Sequence, residues 1–185
     1  MHLKLEPDGE LVLKQPIDDL ARLGVFTFFF SDTCSAYVNQ ALDQVGGFPA
    51  VLSNEDTFTA ARLLRRGQRI AYVAEAVVQH SHAYNLWQEF ARAFDTGYVR
   101  KLHADLLAAP AADEVRGRRF FVELMRELDR QRSYALMPYA VLQTAVKLVG
   151  YKVGRAGRRL PVRWRQRLSS QDYYWTSEAF AELGV

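Results

Sequence analysis

The hydrophobic pattern of the chain changes period near residue 82. Before that point, Val25-Phe26-Thr27-Phe28-Phe29-Phe30 is an unbroken aromatic and β-branched run, the pattern of a buried strand, and it ends at Ser31-Asp32-Thr33. Residues 39–45 then predict a short helix stopped by Gly46-Gly47, where a left-handed residue is needed. A second short amphipathic helix is predicted from Thr57-Phe58-Thr59-Ala60-Ala61-Arg62-Leu63-Leu64-Arg65-Arg66 and is closed by Gly67. Ile70-Ala71-Tyr72-Val73 and Ala76-Val77-Val78 both read as strands. At the start, Glu6-Pro7-Asp8-Gly9 is a turn signal between apolar stretches that predict a hairpin.

Beyond residue 82 the spacing becomes helical. Trp87, Phe90, Phe94 and Tyr98 recur every three or four positions, which predicts a long helix capped by Asn85 and reaching about residue 106. After a loop around Pro110, the positions Phe120, Phe121, Leu124, Met125 and Leu128 predict a second helix. Residues 139–149 predict a third, ending at Gly150. Gly154, Gly157 and Pro161 mark a loop-rich stretch as far as Trp164, and residues 170–180 predict a closing helix. No internal repeat is present. The pattern is therefore mixed α/β first and mainly α afterwards.

Composition narrows the possibilities. With 185 residues and 49% apolar content, the chain buries a core as one domain, or as one domain with a helical appendage. One cysteine, Cys34, excludes an intramolecular disulfide, and no charged start leads into a leader-like apolar stretch. The apolar cluster at 25–30 is far short of the roughly 20 residues that cross a bilayer as a helix, so a cytoplasmic protein is expected. Charge is split: residues 1–112 carry 10 basic and 13 acidic side chains, whereas 113–185 carry 14 and 8. Lys152, Arg155, Arg158, Arg159, Arg163, Arg165 and Arg167 follow one another without an acid, with Trp164 among them. Such a stretch suits anionic headgroups, phosphorylated ligands or nucleic acid, and equally a solvated face. No helix-turn-helix or zinc-finger pattern accompanies the arginines, so no nucleic-acid partner is expected.

Two clusters carry candidate chemistry. Asn54-Glu55-Asp56 stands at a predicted helix start, and His80-Ser81-His82 follows 24 positions later at a predicted strand end. Ser53 with Asp56 fits the capping pattern S-x-x-[DE], in which an acid of the first turn is stabilised by unpaired backbone N–H groups. Held on a rigid helix start, one of these carboxylates also suits general-base work on an alcohol. His80 and His82, two apart, share one face of a continued strand, as two imidazoles sharing a cation or a phosphate would. A closed zinc site needs about four ligands, and Cys34, Glu55 and His103 lack diagnostic spacing. No Walker loop, G-x-G-x-x-G or G-x-S-x-G occurs.

The series Phe28-Phe29-Phe30-Ser31-Asp32-Thr33-Cys34-Ser35-Ala36-Tyr37, Ala41-Leu42-Asp43-Gln44-Val45-Gly46-Gly47-Phe48, Asn54-Glu55-Asp56, Arg62-Leu63, Gly67, Ala71-Tyr72-Val73, Ala76-Val77-Val78 and His80-Ser81-His82 resembles the C-terminal half of a family 2 glycosyltransferase. The likeness is greatest to the bacterial rhamnosyltransferase branch, through Tyr84, Trp87-Gln88-Glu89-Phe90 and Gly150-Tyr151-Lys152-Val153-Gly154, and it runs from about Gly24.

This resemblance implies a partial GT-A sheet-and-helix segment, an α/β half-domain over 1–105, followed by a mainly α-helical C-terminal region over 106–185. It implies an inverting transfer in which Asp56 removes the acceptor hydroxyl proton. Glu55, Asp32, Ser31 and Cys34 would border the acceptor, and His80 or His82 would approach the donor diphosphate or its divalent cation (Mg or Mn), with His82 the preferred metal contact. The partners implied are a nucleotide-sugar donor and a glycan or lipid-linked acceptor of polysaccharide biosynthesis, at the inner face of the cytoplasmic membrane. The family's nucleotide-binding half, with its metal-binding Asp-x-Asp, has no counterpart in these residues, so the chain is expected to be inactive alone. The sheet edge left unpaired, or the apolar helix faces, would then favour self-association. The competing expectation is a non-catalytic module that holds a membrane or an acidic partner through its basic tail.

Overall fold

In the computed structural model, residues 12–14, 27–73, 75–107 and 112–184 are described. They form two units: one from the stretch up to Pro49 together with Glu55–His82, and one from Ala50–Asn54, Ala83–Asp105 and the stretch after Ala109. The predicted turn at Glu6-Pro7-Asp8-Gly9 lies outside the described residues.

In the first unit, strands β1 (Val12–Lys14) and β2 (Ile70–Tyr72) pair antiparallel, with Leu13 opposite Ala71. These are the only strands among the described residues, so the wider sheet implied by the resemblance does not appear there. Thr27 and Phe28 are buried in a turn of 3-10 helix rather than in a strand, and Phe29 and Phe30 are irregular. Helix α1 (Asn39–Gln44) ends as its sequence predicts: the Gly47 N–H donates to the Leu42 carbonyl (3.0 Å), with both Gly46 and Gly47 at positive φ. Helix α2 (Glu55–Arg65) buries Phe58, Ala61 and Leu64 along one stripe and is closed by Gly67. Ala76, Val77 and Val78 form no strand. Val77 is largely exposed, and the run turns on itself instead of pairing, with the Ala76 N–H donating to the Val73 carbonyl (3.2 Å) and the Val77 N–H to the Glu75 carbonyl (2.9 Å).

The second unit is helical. Helix α3 (Leu86–Leu102) opens with a reciprocal capping box, in which Gln88 N–H donates to Asn85 Oδ1 (2.9 Å) and Asn85 N–H donates to Gln88 Oε1 (3.0 Å). One turn of helix at Ala104–Leu107 follows, then α4 (Ala112–Arg130) and α5 (Met137–Ala156). Gly150 does not end α5. It lies inside the helix with Gly154, and a methyl group on either would run into the backbone of α3, at the carbonyls of Phe90 and Phe94. Gly97 of α3 meets the Tyr151 carbonyl in the same way. The two helices thus approach backbone to backbone, and the glycines that sequence rules assign to stops are the contact itself. Glu89 fixes the register from α3, accepting from Gln143 Nε2 (2.7 Å) and pairing with Lys147 Nζ (3.2 Å).

Past α5 the chain is more helical than its glycines and proline suggest: a 3-10 turn at Gly157–Arg159, then α6 (Val162–Leu168). The predicted closing helix is instead a 3-10 segment, Asp172–Thr176, and the short α7 (Glu178–Ala181). Two buried charged residues secure this end. Arg165, 6% exposed, donates from Nε to the Leu160 carbonyl (2.8 Å), from Nη2 to the Arg158 carbonyl (2.9 Å) and from Nη1 to Tyr98 Oη (3.2 Å). Its guanidinium also lies near the rings of Tyr98 and Trp175. Asp95, 1% exposed, accepts at Oδ2 from both the Ser170 N–H (2.8 Å) and the Ser170 hydroxyl (2.5 Å). Phe94, Tyr98, Trp175 and Phe180 complete an aromatic core around them.

Two outcomes follow. Gly154→Leu should force α5 off α3 and lower stability by about 3 kcal/mol in denaturant unfolding, whereas Gly117→Ala, on an open face of α4, should be neutral or raise it by roughly 0.5–1 kcal/mol. Burial raises the carboxyl pKa of Asp95, against the opposing effect of its serine bonds. The folded chain then holds a proton that the unfolded chain has already released, so this group's contribution falls as pH rises from the ordinary carboxylate range through the raised value. Unfolding measured across that window should show a falling limb that Asp95→Asn flattens.

Candidate functional site

Asp56 sits in the first turn of α2, two residues after Asn54, which is held in the left-handed region at φ 63°. A non-glycine residue there costs on the order of 1 kcal/mol or more and is tolerated where the surroundings demand it. Ser53 does not close the predicted capping box. Its hydroxyl donates to Asn54 Oδ1 (3.3 Å), and Asp56 Oδ1 instead accepts the neighbouring Thr57 N–H (2.6 Å). Half-buried, Asp56 has its pKa raised first by desolvation and then by the charges of Asp32 and Glu55, against the lowering effect of backbone N–H groups of Thr57 and Asp32. The carboxylate is thus held by backbone donors yet made more basic than an ordinary aspartate.

The segment before α1 supplies its neighbours. Ser31 caps a 3-10 turn at Asp32–Cys34, its hydroxyl bonding to Thr33, and Cys34 is an exposed thiol. Asp32 Oδ1 accepts from the Tyr37 hydroxyl (2.7 Å) and from Ser35 (3.3 Å). The Tyr37 phenol is pushed up by burial, by this bond and by the charges of Asp32 and Asp56. Its ring packs between Phe30 and Phe48, with centroids 5.0 and 5.1 Å away. Asp32, Tyr37 and Asp56 therefore form one electrostatic group. Glu55 remains exposed at the mouth of the turn, its carbonyl accepting from Thr59 Oγ1 (2.7 Å). Tyr37 was legible only as part of a similarity string, because nothing in the spacing of Asp32 and Tyr37 announces a side-chain pair.

His80 and His82 lie in irregular, exposed chain rather than on a strand, and their rings meet edge to face at 4.3 Å. No cluster of three or more His, Cys, Asp or Glu side chains suited to a metal occurs among the described residues. Two imidazoles without such a carboxylate fit poorly to a hard Mg or Mn ion, which takes oxygen ligands. In the basic stretch, Lys152, Arg158, Arg159, Arg163 and Arg167 are exposed, while Arg165 is consumed by the core. No helix of the described residues is long and apolar enough to cross a membrane.

No family profile matches the chain, and no solved structure matches it significantly. Among curated proteins, it is 35% identical over 170 residues to the O-antigen chain rhamnosyltransferase WbaN of Salmonella anatum, covering 91% of this chain and 54% of the relative. It is 33% identical over 160 residues to the O-antigen chain rhamnosyltransferase RfbN of Salmonella typhimurium, covering 86% and 51%. The chain spans about half the length of these curated relatives. A half-buried, backbone-held aspartate beside a second acid thus lies in a chain related by sequence to proteins named rhamnosyltransferases.

Proposed function

We propose that this chain provides the acceptor-activating half of an inverting rhamnosyl transfer from a nucleotide-diphospho-sugar to a glycan or lipid-linked acceptor. The observation that carries this reading is the environment of Asp56. A general base must be ionised and yet basic enough to take a proton as the acceptor oxygen attacks, and desolvation beside Asp32 and Glu55 supplies that basicity. The backbone N–H groups on the same carboxylate fix its direction. Asp32 and Tyr37 form the adjoining wall, which supplies hydroxyl-binding chemistry for an acceptor sugar, with Ser31, Cys34 and Glu55 at its edge. His80 and His82, exposed and paired, are assigned to the donor diphosphate, with no step routed through a cation.

The reading is tested in a chimera in which this chain replaces the matching portion of the Salmonella anatum relative, with dTDP-rhamnose as donor and product followed by mass spectrometry. Asp56→Asn should lower transfer on the order of 10³-fold. Undiminished transfer by that variant would sink the assignment. The rate should rise with pH through the raised Asp56 value, because only the ionised form accepts a proton. Asp32→Asn removes one of the charges that raise it, so the rising limb should move to lower pH.

A second reading, of contact with an anionic membrane surface, is favoured by the exposed cations Lys152, Arg158, Arg159 and Arg163 in the same stretch of sequence as Trp164, which is 54% exposed. Arg167 lies over that indole at 5.8 Å. Sedimentation with phosphatidylserine vesicles should show binding that weakens with salt and is lost in Arg158→Gln/Arg159→Gln/Arg163→Gln. Binding insensitive to those changes would remove this reading.

A further inference from the structure

Within the helical unit, the start of α3 and the chain after α6 enclose an open groove of about 710 Å³. Its volume is in the range of ligand sites, roughly 300–1,000 Å³, and suits a short oligomer better than a single ring. One wall is aromatic. The Trp87 indole, 54% exposed, stacks on Phe90 with centroids 5.3 Å apart and planes 11° apart, which fixes the plane it presents. Nearby, the Arg92 guanidinium lies over Tyr84 at 4.7 Å. The remaining lining is mostly polar: the amides Gln88, Gln166 and Gln171 stand with Arg167, a second cation, and Asp172 as the one carboxylate.

The groove is held in shape by hydrogen bonds of its own lining residues. Asp95 ties down Ser170 by both its N–H and its hydroxyl, and Gln171 N–H donates to Ser169 Oγ (3.0 Å), so the loop carrying Gln171 and Asp172 is anchored to α3. The capping box fixes Gln88, whose Oε1 is engaged by Asn85. An indole face beside several amides and a carboxylate matches the chemistry of a pyranose. The ring's C–H face packs on an aromatic plane, while vicinal hydroxyls pair with planar side chains that donate and accept side by side. The two guanidiniums of the lining are already engaged by rings, Arg92 over Tyr84 and Arg167 over Trp164 at 5.8 Å, and a phosphate would also face the Asp172 carboxylate, so an uncharged sugar fits better.

We infer that this groove is a glycan-binding subsite that holds a neutral oligosaccharide portion of the acceptor. The substrate class rests on the transferase reading, but the site is tested by binding alone, so failure of Asp56 as base and failure of this groove are separable results. The test titrates the full chain, labelled at its tryptophan indoles, with a linear oligosaccharide of α-linked rhamnose and, separately, with pyrophosphate, followed by NMR. The Trp87 indole signal should shift saturably with the sugar, with those of Trp164 and the buried Trp175 unmoved. Trp87→Ala should weaken binding at least tenfold, and Asp172→Ala, a rim change that leaves the core intact, should weaken it severalfold. No shift at Trp87, a shift confined to Trp164, sugar binding unchanged in both variants, or tighter binding of pyrophosphate in the groove would overturn the assignment.

Discussion

Helices α3 and α5 touch through their backbones, and the helical unit depends on that contact. Gly97, Gly150 and Gly154 leave no side chain between the two helices, so the carbonyls of Phe90, Phe94 and Tyr151 lie where methyl groups would otherwise stand. Close approach brings many weak dispersion contacts to their optimum at once, and each is lost steeply when the gap widens. It also leaves the larger side chains of α3 free to point elsewhere. Phe94 and Tyr98 turn to Trp175, and Trp87 turns outward over Phe90. The aromatic core and the groove are thus both consequences of a glycine seam.

In the other unit, the governing physics is desolvated charge. Burial, with the nearby charges of Asp32 and Glu55, raises the cost of ionising Asp56, and Tyr37 adds a hydroxyl to the same group. A purely structural N-terminal acid would be stabilised in its charged form by the helix start, and its pKa would fall. At Asp56 desolvation outweighs this effect and the direction is opposite, although the carboxylate accepts a backbone N–H bond as a cap does.

Much of the local structure could be read from sequence. The stops of α1 and α2 followed from Gly46, Gly47 and Gly67, and the start of α3 followed from Asn85, because these are single-residue rules with local causes. Gly150 and Gly154 misled for the same reason: a glycine that permits a turn and a glycine that permits contact look alike until the partner helix is known. The aromatic run ending at Phe30 and the valines at 77 and 78 carry strand propensity, but a strand needs a neighbour to pair with. At the candidate site, the position of Asp56 in the first turn of a helix was legible from sequence. Its coupling to Asp32 and Tyr37, and the loop fastened by Asp95, join residues far apart in sequence, which no local pattern encodes.

Arg165 changes how the basic tail should be interrogated. It looks like one cation in a run of seven, yet its guanidinium is a hub for two main-chain carbonyls, a phenol and two aromatic faces. A lysine at that position would preserve the formal charge but could not reproduce the planar fork. A charge-conserving scan of this segment would therefore report a folding defect at one position and surface effects at its neighbours. The boundary between interior and exterior here falls between adjacent arginines rather than between residue types.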